Sequence, residues 1–314
     1  VAEGWLDFEQ PLAQLVERLD ELAAIGAREE AGRVAEQIAK LKTRLYADLT
    51  PWQRVLLARH PRRPYTLDYI ERIVNDFVEL RGDRVFGDDP ALVAGLGRID
   101  DIRCAVIGHQ KGRDTREKLA RNFGMPHPEG YRKALRVMEL AERFGLSVVC
   151  FVDTPGAYPG VGAEERGQAE AIARNLRTMA MLEVPVVVVV TGEGGSGGAL
   201  AIAVGNRVLM QENAVYSVIS PEGCASILWR DGERAEEAAR VMRMTARELA
   251  EFGVIDGVVP EPAGGAHQDW DAAAQLVKAA VLKHCHELAA LGPAELVAQR
   301  VARFASVGSF GGLG

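Results

Sequence analysis

The run Val186-Val187-Val188-Val189-Val190-Thr191-Gly192-Glu193-Gly194-Gly195-Ser196-Gly197-Gly198-Ala199-Leu200 decides how the chain is read. Its unbroken β-branched residues, with 184–190 all valine except Pro185, match a strand buried on both faces. Five glycines in the next seven positions end that pattern, and a short helix is expected from Gly198. Upstream, residues 147–152 form a second short apolar strand, which runs into Asp153-Thr154-Pro155-Gly156-Ala157-Tyr158-Pro159-Gly160-Val161-Gly162. Residues 163–182 between them carry a helical pattern. Buried strands alternating with helices predict an α/β fold with parallel strands.

Working outward, residues 129–144 are helical by the spacing of Leu135, Met138 and Leu140. Residues 92–99 and 102–109 read as strands joined by Asp100-Asp101 in a tight hairpin. A capped helix is predicted over 66–80, with Ile70, Ile73, Val74 and Phe77 inside. Further strands are expected near 207–210 and 215–219, then helices, with a frayed tail over 308–314. Residues 1–50 stand apart. Leu12, Leu15, Leu19 and Leu22 form one stripe, Val34, Ile38, Leu41 and Leu45 another, and Gly26–Gly32 joins them. Two such helices cannot bury their seams alone, so a hairpin packed on the body or on a partner is expected.

The 314 residues hold 37 Lys+Arg against 44 Asp+Glu, a formal charge of −7. This disfavours a general nucleic-acid or membrane-surface binder. The longest apolar run, residues 184–190, is far short of the ~20 residues that span a bilayer. No charged-then-apolar leader opens the chain, so a cytoplasmic location is expected. Cys104, Cys150, Cys224 and Cys285 are widely spaced without a C-x-x-C, which excludes a zinc ribbon in this chain and a disulfide framework. Residues 110–128 read as a loop, locally basic through Lys111, Arg113, Arg116, Lys118 and Arg121. That run is either a solvated face or a site for phosphate groups.

Glycine clusters cost backbone entropy and pack nothing, so two of them need a reason. Bare backbone can approach a ligand closely and aim N–H groups at it. Three motif readings compete. Gly192-x-Gly194-x-x-Gly197 matches a dinucleotide fingerprint with Glu212 at the ribose position, although only about two helical turns fit before Arg207. Gly194-x-Ser196-x-Gly198 matches a nucleophile elbow, with Asp256 and His267 in the right order for a triad, but His267 lies in what reads as a mobile loop. Asp153-Thr154-Pro155-Gly156 matches a GTPase element, yet no Gly-Lys pair exists for its phosphate loop, which excludes it. The fourth reading is an oxyanion site made of backbone N–H groups, with the base borrowed from a substrate, cofactor or partner.

At these residues the chain resembles a known family. Asp153 to Gln168, Gly192 to Leu200, and Tyr216-Ser217-Val218-Ile219-Ser220-Pro221-Glu222-Gly223-Cys224-Ala225-Ser226-Ile227-Leu228-Trp229 resemble the alpha-subunit family of the bacterial acetyl-coenzyme A carboxylase carboxyltransferase. So do Gly108-His109-Gln110-Lys111-Gly112-Arg113, Asn122-Phe123-Gly124-Met125-Pro126 and Leu6-Asp7-Phe8-Glu9. The similarity runs from about residue 5 to about 290. It implies a crotonase-like superhelix of ββα units over 51–290, after the hairpin at 1–50 and before a helix and flexible tail at 291–314. It implies transfer of a carboxyl group from carboxybiotin, borne by a biotin carboxyl carrier protein, to acetyl-coenzyme A. The product is malonyl-coenzyme A, in the first committed step of fatty acid synthesis. A beta subunit with a zinc ribbon completes an α2β2 heterotetramer, biotin carboxylase is a separate component, and no cofactor or metal is held covalently here. Carried over by position, Gly197 and Gly198 would hold the biotin ureido oxygen, the cofactor itself serving as base. Gly156, Ala157, Tyr158, Gly194, Gly195, Ser220 and Glu222 would line the substrate site. The alternatives are a serine hydrolase using Ser196 and a non-catalytic scaffold subunit. Gly198→Val is expected to abolish transfer without unfolding the chain.

Overall fold

The computed structural model describes residues 4–308 and lays eight strands in one mixed sheet. They are β1 (Asn75–Glu79), β2 (Leu92–Ile99), β3 (Ile102–His109), β4 (Ser147–Thr154), β5 (Val186–Gly195), β6 (Arg207–Gln211), β7 (Val215–Ser217) and β8 (Gly257–Val259). The order is β1-β2-β3-β4-β5-β6-β8, with β7 beside the far end of β5. The first three are antiparallel and the others parallel. Asp100-Asp101 makes the expected hairpin, Ile99 facing Ile102 and Asp100 at φ +49°.

Helices cover both faces, as the valines of β5 require. Val186, Val188 and Val190 pack with Tyr131 and Met138, while Val187 and Val189 pack with Tyr69, Phe151 and Val277. All five are fully buried. Before the sheet come α1 (Gln10–Ala24), α2 (Arg28–Ala47), α3 (Pro51–Ala58) and α4 (Thr66–Ile73). Between β3 and β5 lie α5 (Thr115–Ala120), α6 (Pro128–Arg143), α7 (Val161–Glu165) and α8 (Gln168–Met181). Then follow α9 (Ser196–Leu200), α10 (Pro221–Trp229), α11 (Ala235–Met242), α12 (Ala246–Glu251), α13 (Trp270–Ala289) and α14 (Pro293–Ala305). Among the described residues no helix is long and apolar enough to cross a membrane, and the four cysteines are free thiols.

Four expectations change. The helix predicted over 66–80 stops at Ile73, and β1 takes residues 75–79. Ile70, Ile73, Val74 and Phe77 have helical spacing, but the edge of β2 offers hydrogen-bond partners, and Val74 turns extended to reach them. The helix over 163–182 is two helices, split where Gly167 adopts φ +80°. The loop over 110–128 contains α5 and a 3-10 turn at Asn122–Gly124. A three-residue strand, β8, lies among the supposed terminal helices. Of the expected frayed tail, residues 309–314 fall outside the described part.

Two anchors tie the chain's ends to this sheet. On α14, the fully buried Arg300 donates to the carbonyls of Met179 and Leu182 at 2.8 Å, of Val184 at 3.0 Å, and to Asn206 Oδ1 at 2.6 Å. It thereby satisfies carbonyls at the end of α8 that have no intrahelical donor. At the other end, buried Glu9 accepts from Tyr46 of α2 and lies 3.1 Å from His267 Nε2. His267 stacks on His60 with ring centres 4.2 Å apart. His60 Nδ1 accepts from Arg62 N–H, so its Nε2–H donates to the Gly4 carbonyl. Burial, with His267 adding to it, pulls the His60 imidazole from 6.5 down to about 4. A depressed imidazole makes the unfolded chain bind a proton first, so this contribution to stability is whole above pH 6.5 and lost as pH falls through 4. Hydrogen exchange of α1 and α2, corrected for the intrinsic pH dependence, is therefore expected to speed up across that window. Unchanged protection would refute the anchor.

Candidate active site

The glycines after the valine run are not a loop. Gly192–Gly195 continue β5, with Gly194 beside Thr154 of β4 and Tyr216 of β7, and α9 starts at Ser196. Close approach explains their composition. A Cβ on Gly195 would stand 2.1 Å from the Pro155 carbonyl oxygen, and one on Gly198 would stand 2.3 Å from Ala157 N and 2.4 Å from the Gly156 carbonyl carbon. A Cβ on Gly194 would meet the Tyr216 ring at 2.6 Å. The two glycine-rich segments are thus in direct backbone contact. Gly197 differs, since a Cβ there would find nothing nearer than Ile172 at 3.9 Å.

These segments enclose a cleft of about 570 Å³. One wall is Pro155 to Tyr158 after β4, the second is Ser196 to Gly198, the third is Val218 to Ser220 after β7, and Gln168 and Ile172 of α8 close the base. The first N–H groups of α9 have no intrahelical acceptor, and none among the described residues accepts from Gly197 or Gly198. Ser220 caps α10, its Oγ accepting from Gly223 N–H at 3.1 Å. Of the expected lining residues, Gly156, Ala157, Tyr158, Gly197, Gly198 and Ser220 meet at this cleft. Gly194 and Gly195 stand behind it in the strand. Glu222 does not line it, its carboxylate held by Arg59 at 2.6 and 3.2 Å. Glu164 stands on the rim, exposed to solvent.

Beneath the glycines lies a charge network that the sequence reading missed. Glu193 accepts from Arg59 Nε at 2.6 Å and from Lys111 Nζ at 2.9 Å, and Lys111 also pairs with Asp153 at 2.7 Å. Asp153 accepts from Glu193 N–H at 2.9 Å. Burial pushes the Glu193 carboxyl up, but Lys111 and Arg59 outweigh it and hold it near 2. Burial likewise works against charge on Lys111, yet the two carboxylates keep the ammonium protonated far above its usual range. Lys111 is thus withdrawn from the supposed basic face. Arg113 is withdrawn too, paired with Asp68 and stacked between Tyr65 and Trp270. Arg121 bonds Glu117 and the Pro90 carbonyl. The signal available in sequence was Glu193 itself, a carboxylate set between glycines on a buried strand.

The competing motifs do not assemble. Ser196 does have the positive φ of a nucleophile elbow, +51°. However, Asp256 is committed to Val208 N–H and Arg303, and His267 to Glu9 and His60. The loop of His267 is also buried and anchored rather than mobile. The dinucleotide reading needs a turn directly after the valines, where β5 instead continues to Gly195 with a shift of register against β4. No fluorophosphonate labelling is expected at Ser196.

Comparison with known proteins bears out the family resemblance. The family model "acetyl co-enzyme A carboxylase carboxyltransferase-like" matches residues 5–308. The acetyl-coenzyme A carboxylase carboxyl transferase subunit alpha of Azoarcus sp. (strain BH72) is 57% identical over 312 residues, covering 98% of this chain and 97% of that protein. The protein of the same name from Syntrophotalea carbinolica is 59% identical over 302 residues, covering 94% and 95%. Among solved structures, transcarboxylase 12S with methylmalonyl-coenzyme A and methylmalonic acid bound superposes with TM-score 0.57 at 21% identity, over 71% of this chain and 42% of that one. That likeness carries the fold, which is crotonase-like. The chain belongs to the alpha-subunit family of the acetyl-coenzyme A carboxylase carboxyltransferase.

Proposed function

We propose that this chain supplies one half of a shared carboxyltransferase site, its cleft receiving carboxybiotin from a biotin carboxyl carrier protein. A beta subunit in an α2β2 assembly presents acetyl-coenzyme A, and malonyl-coenzyme A is the product. The observation that carries the reading is the open face at Gly197. Two adjacent amides without acceptors border a cleft of about 570 Å³ with room for a ligand at van der Waals distance. That volume suits a small planar cofactor, and amide donors suit its ureido oxygen.

When bound, carboxybiotin supplies the carboxyl group and, once that group has left, the base that takes a proton from the acetyl methyl. The chain's own residues bind and orient. Gly197 and Gly198 N–H, left without acceptors among the described residues, serve the position where negative charge develops, and a preorganised donor of this kind is worth about 10²–10³ in turnover. Gly156, Ala157 and Tyr158 press from the facing wall, Ser220 from the third. Gly194 and Gly195 let the walls close without side chains between them. Near the third wall Val218, Ile227 and Leu228 are 79%, 71% and 59% exposed, an apolar surface that suits a partner chain. Residues 51–290 serve as the transferase body, between the N-terminal helical hairpin and the C-terminal helix. ATP is used on a separate biotin carboxylase component.

The test mixes this chain with its beta subunit and follows malonyl-coenzyme A decarboxylation with biocytin. Turnover that requires both chains is expected. A well-formed complex without turnover would refute the reading and favour a scaffold.

A further inference from the structure

Each wall of the cleft begins or ends within three residues of a charged side chain. Asp153 precedes Pro155 by two positions, Glu193 precedes Ser196 by three, and Glu222 follows Ser220 by two. These carboxylates are joined into one chain by two cations. Lys111 bridges Asp153 at 2.7 Å to Glu193 at 2.9 Å, and Arg59 bridges Glu193 at 2.6 Å to Glu222 at 2.6 and 3.2 Å. Neither cation lies on the segments it joins. Arg59 follows α3, and Lys111 follows β3.

Resting on the reading of the preceding subsection, we propose that Arg59 and Lys111 are positioning residues, and that the chain Asp153–Lys111–Glu193–Arg59–Glu222 sets the width of the cleft by fixing its three walls to one another. Stability alone is a poor reason for such a chain. Charges removed from water carry a desolvation penalty that apolar packing avoids, and well-packed apolar residues in their place are often as stable. Ionic hydrogen bonds do fix distance and direction, because the acceptor must lie in line with the donor. The first two walls are already locked by backbone contact at Gly195 and Gly198. The third wall is bonded to its own surroundings through Tyr216 N–H to the Met244 carbonyl at 3.0 Å, Ser217 Oγ to the Ile219 carbonyl at 2.7 Å and Ser220 Oγ, which accepts from Gly223 N–H. To the other two walls, among the described residues, it is tied by the short β7 pairing and the Arg59–Glu222 bridge. The bridge therefore acts mainly on Ser220, and Glu222 works through Arg59 rather than by touching substrate.

The test uses Arg59→Lys, Glu222→Ala and the double variant, each in complex with the beta subunit. Lysine keeps a cation beside Glu193 but cannot span to Glu222. Glu222 has a side chain 42% exposed, so its removal is expected to shift the melting temperature by no more than about 2–4 °C. Both single variants should lose about 10- to 100-fold in kcat, as displaced catalytic groups do, with KM for malonyl-coenzyme A unchanged. The double variant should be no worse than Arg59→Lys, since the link is already cut. A rise in KM at constant kcat would make Glu222 a substrate contact and overturn the proposal, as would unchanged kcat or additive losses. Hydrogen exchange at residues 215–220 of the chain without its partner gives a second readout, expected to quicken in both single variants. Unchanged exchange overturns the proposal even if the wild-type complex fails to turn over. Quickened exchange without wild-type turnover would sink only the functional reading.

Discussion

A Gly198→Ala chain is expected to lose at least about a hundredfold in malonyl-coenzyme A decarboxylation and also to unfold at lower temperature. The new Cβ has backbone on the other side, Ala157 N at 2.3 Å and the Gly156 carbonyl carbon at 2.4 Å. Backbone held between the end of β4 and the start of α7 cannot rotate away as a side chain can. The wall at residues 155–158 must shift, and such overpacking costs about 1–3 kcal/mol. The expectation that Gly198→Val would spare the fold is therefore replaced, because valine meets the same obstruction with more atoms. Gly197→Ala is the cleaner probe of the amide pair. Its methyl stands 3.9 Å from Ile172 and faces the cleft, so activity should fall at an unchanged melting temperature. Thermal unfolding and decarboxylation measured on both variants decide the matter. Wild-type stability in Gly198→Ala would show that the two segments do not pack as described.

The second large effect is expected at Arg63→Met. Arg63 and Glu261 are almost completely shielded from water, paired at 2.5 and 3.1 Å, and Arg63 Nε also donates to the Thr191 carbonyl at 2.5 Å, where β5 enters its glycines. Removing one partner of a buried pair costs about 3–5 kcal/mol, because the remaining charge stays desolvated and unpaired. Urea unfolding should register that loss, and changing Glu261 to Met as well should return part of it. The pair also sets an acid response. Burial raises the Glu261 carboxyl, but Arg63, with Ala266 N–H and Asn213 adding to it, brings it down from 4.5 to about 2. A depressed carboxylate contributes stability that is whole above pH 4.5 and lost as pH falls through 2. Wild-type stability should therefore drop across that window, and the single variant should show a flatter profile. An Arg63→Met chain as stable as wild type would refute the argument.

The sequence read most truly where local pattern and long-range pairing agree. The valines of β4 and β5 could only be strands buried on two faces, and Asp100-Asp101 could only turn between two apolar runs. The N-terminal stripes likewise became α1 and α2. Reading failed where a partner distant in sequence decided the outcome. Phe77 fits a helix by spacing, yet β2 draws it into a strand. Gly192, Gly194 and Gly195 lack the side chains that mark a strand, and pairing with β4 and β7 on either side keeps this end of β5 extended. The glycine walls of the cleft were visible as composition and as family resemblance. What lies under them was not, because a lysine that neutralises two buried carboxylates looks in sequence like any other member of a basic run. Glu222 shows the same limit, sitting among matched residues near Ser220 while its side chain turns toward Arg59.

Arg300 bears on how the protein is made as well as on how it stands. Its acceptors at Met179, Leu182, Val184 and Asn206 were synthesised 94 to 121 residues earlier. At about 5–20 residues per second, a ribosome leaves those carbonyls waiting roughly 5–25 s for the guanidinium that closes them. Through that interval the nascent chain holds a valine-rich sheet whose seal has not yet been translated. Its passage through the cell depends on whatever shields that sheet until the last helix arrives.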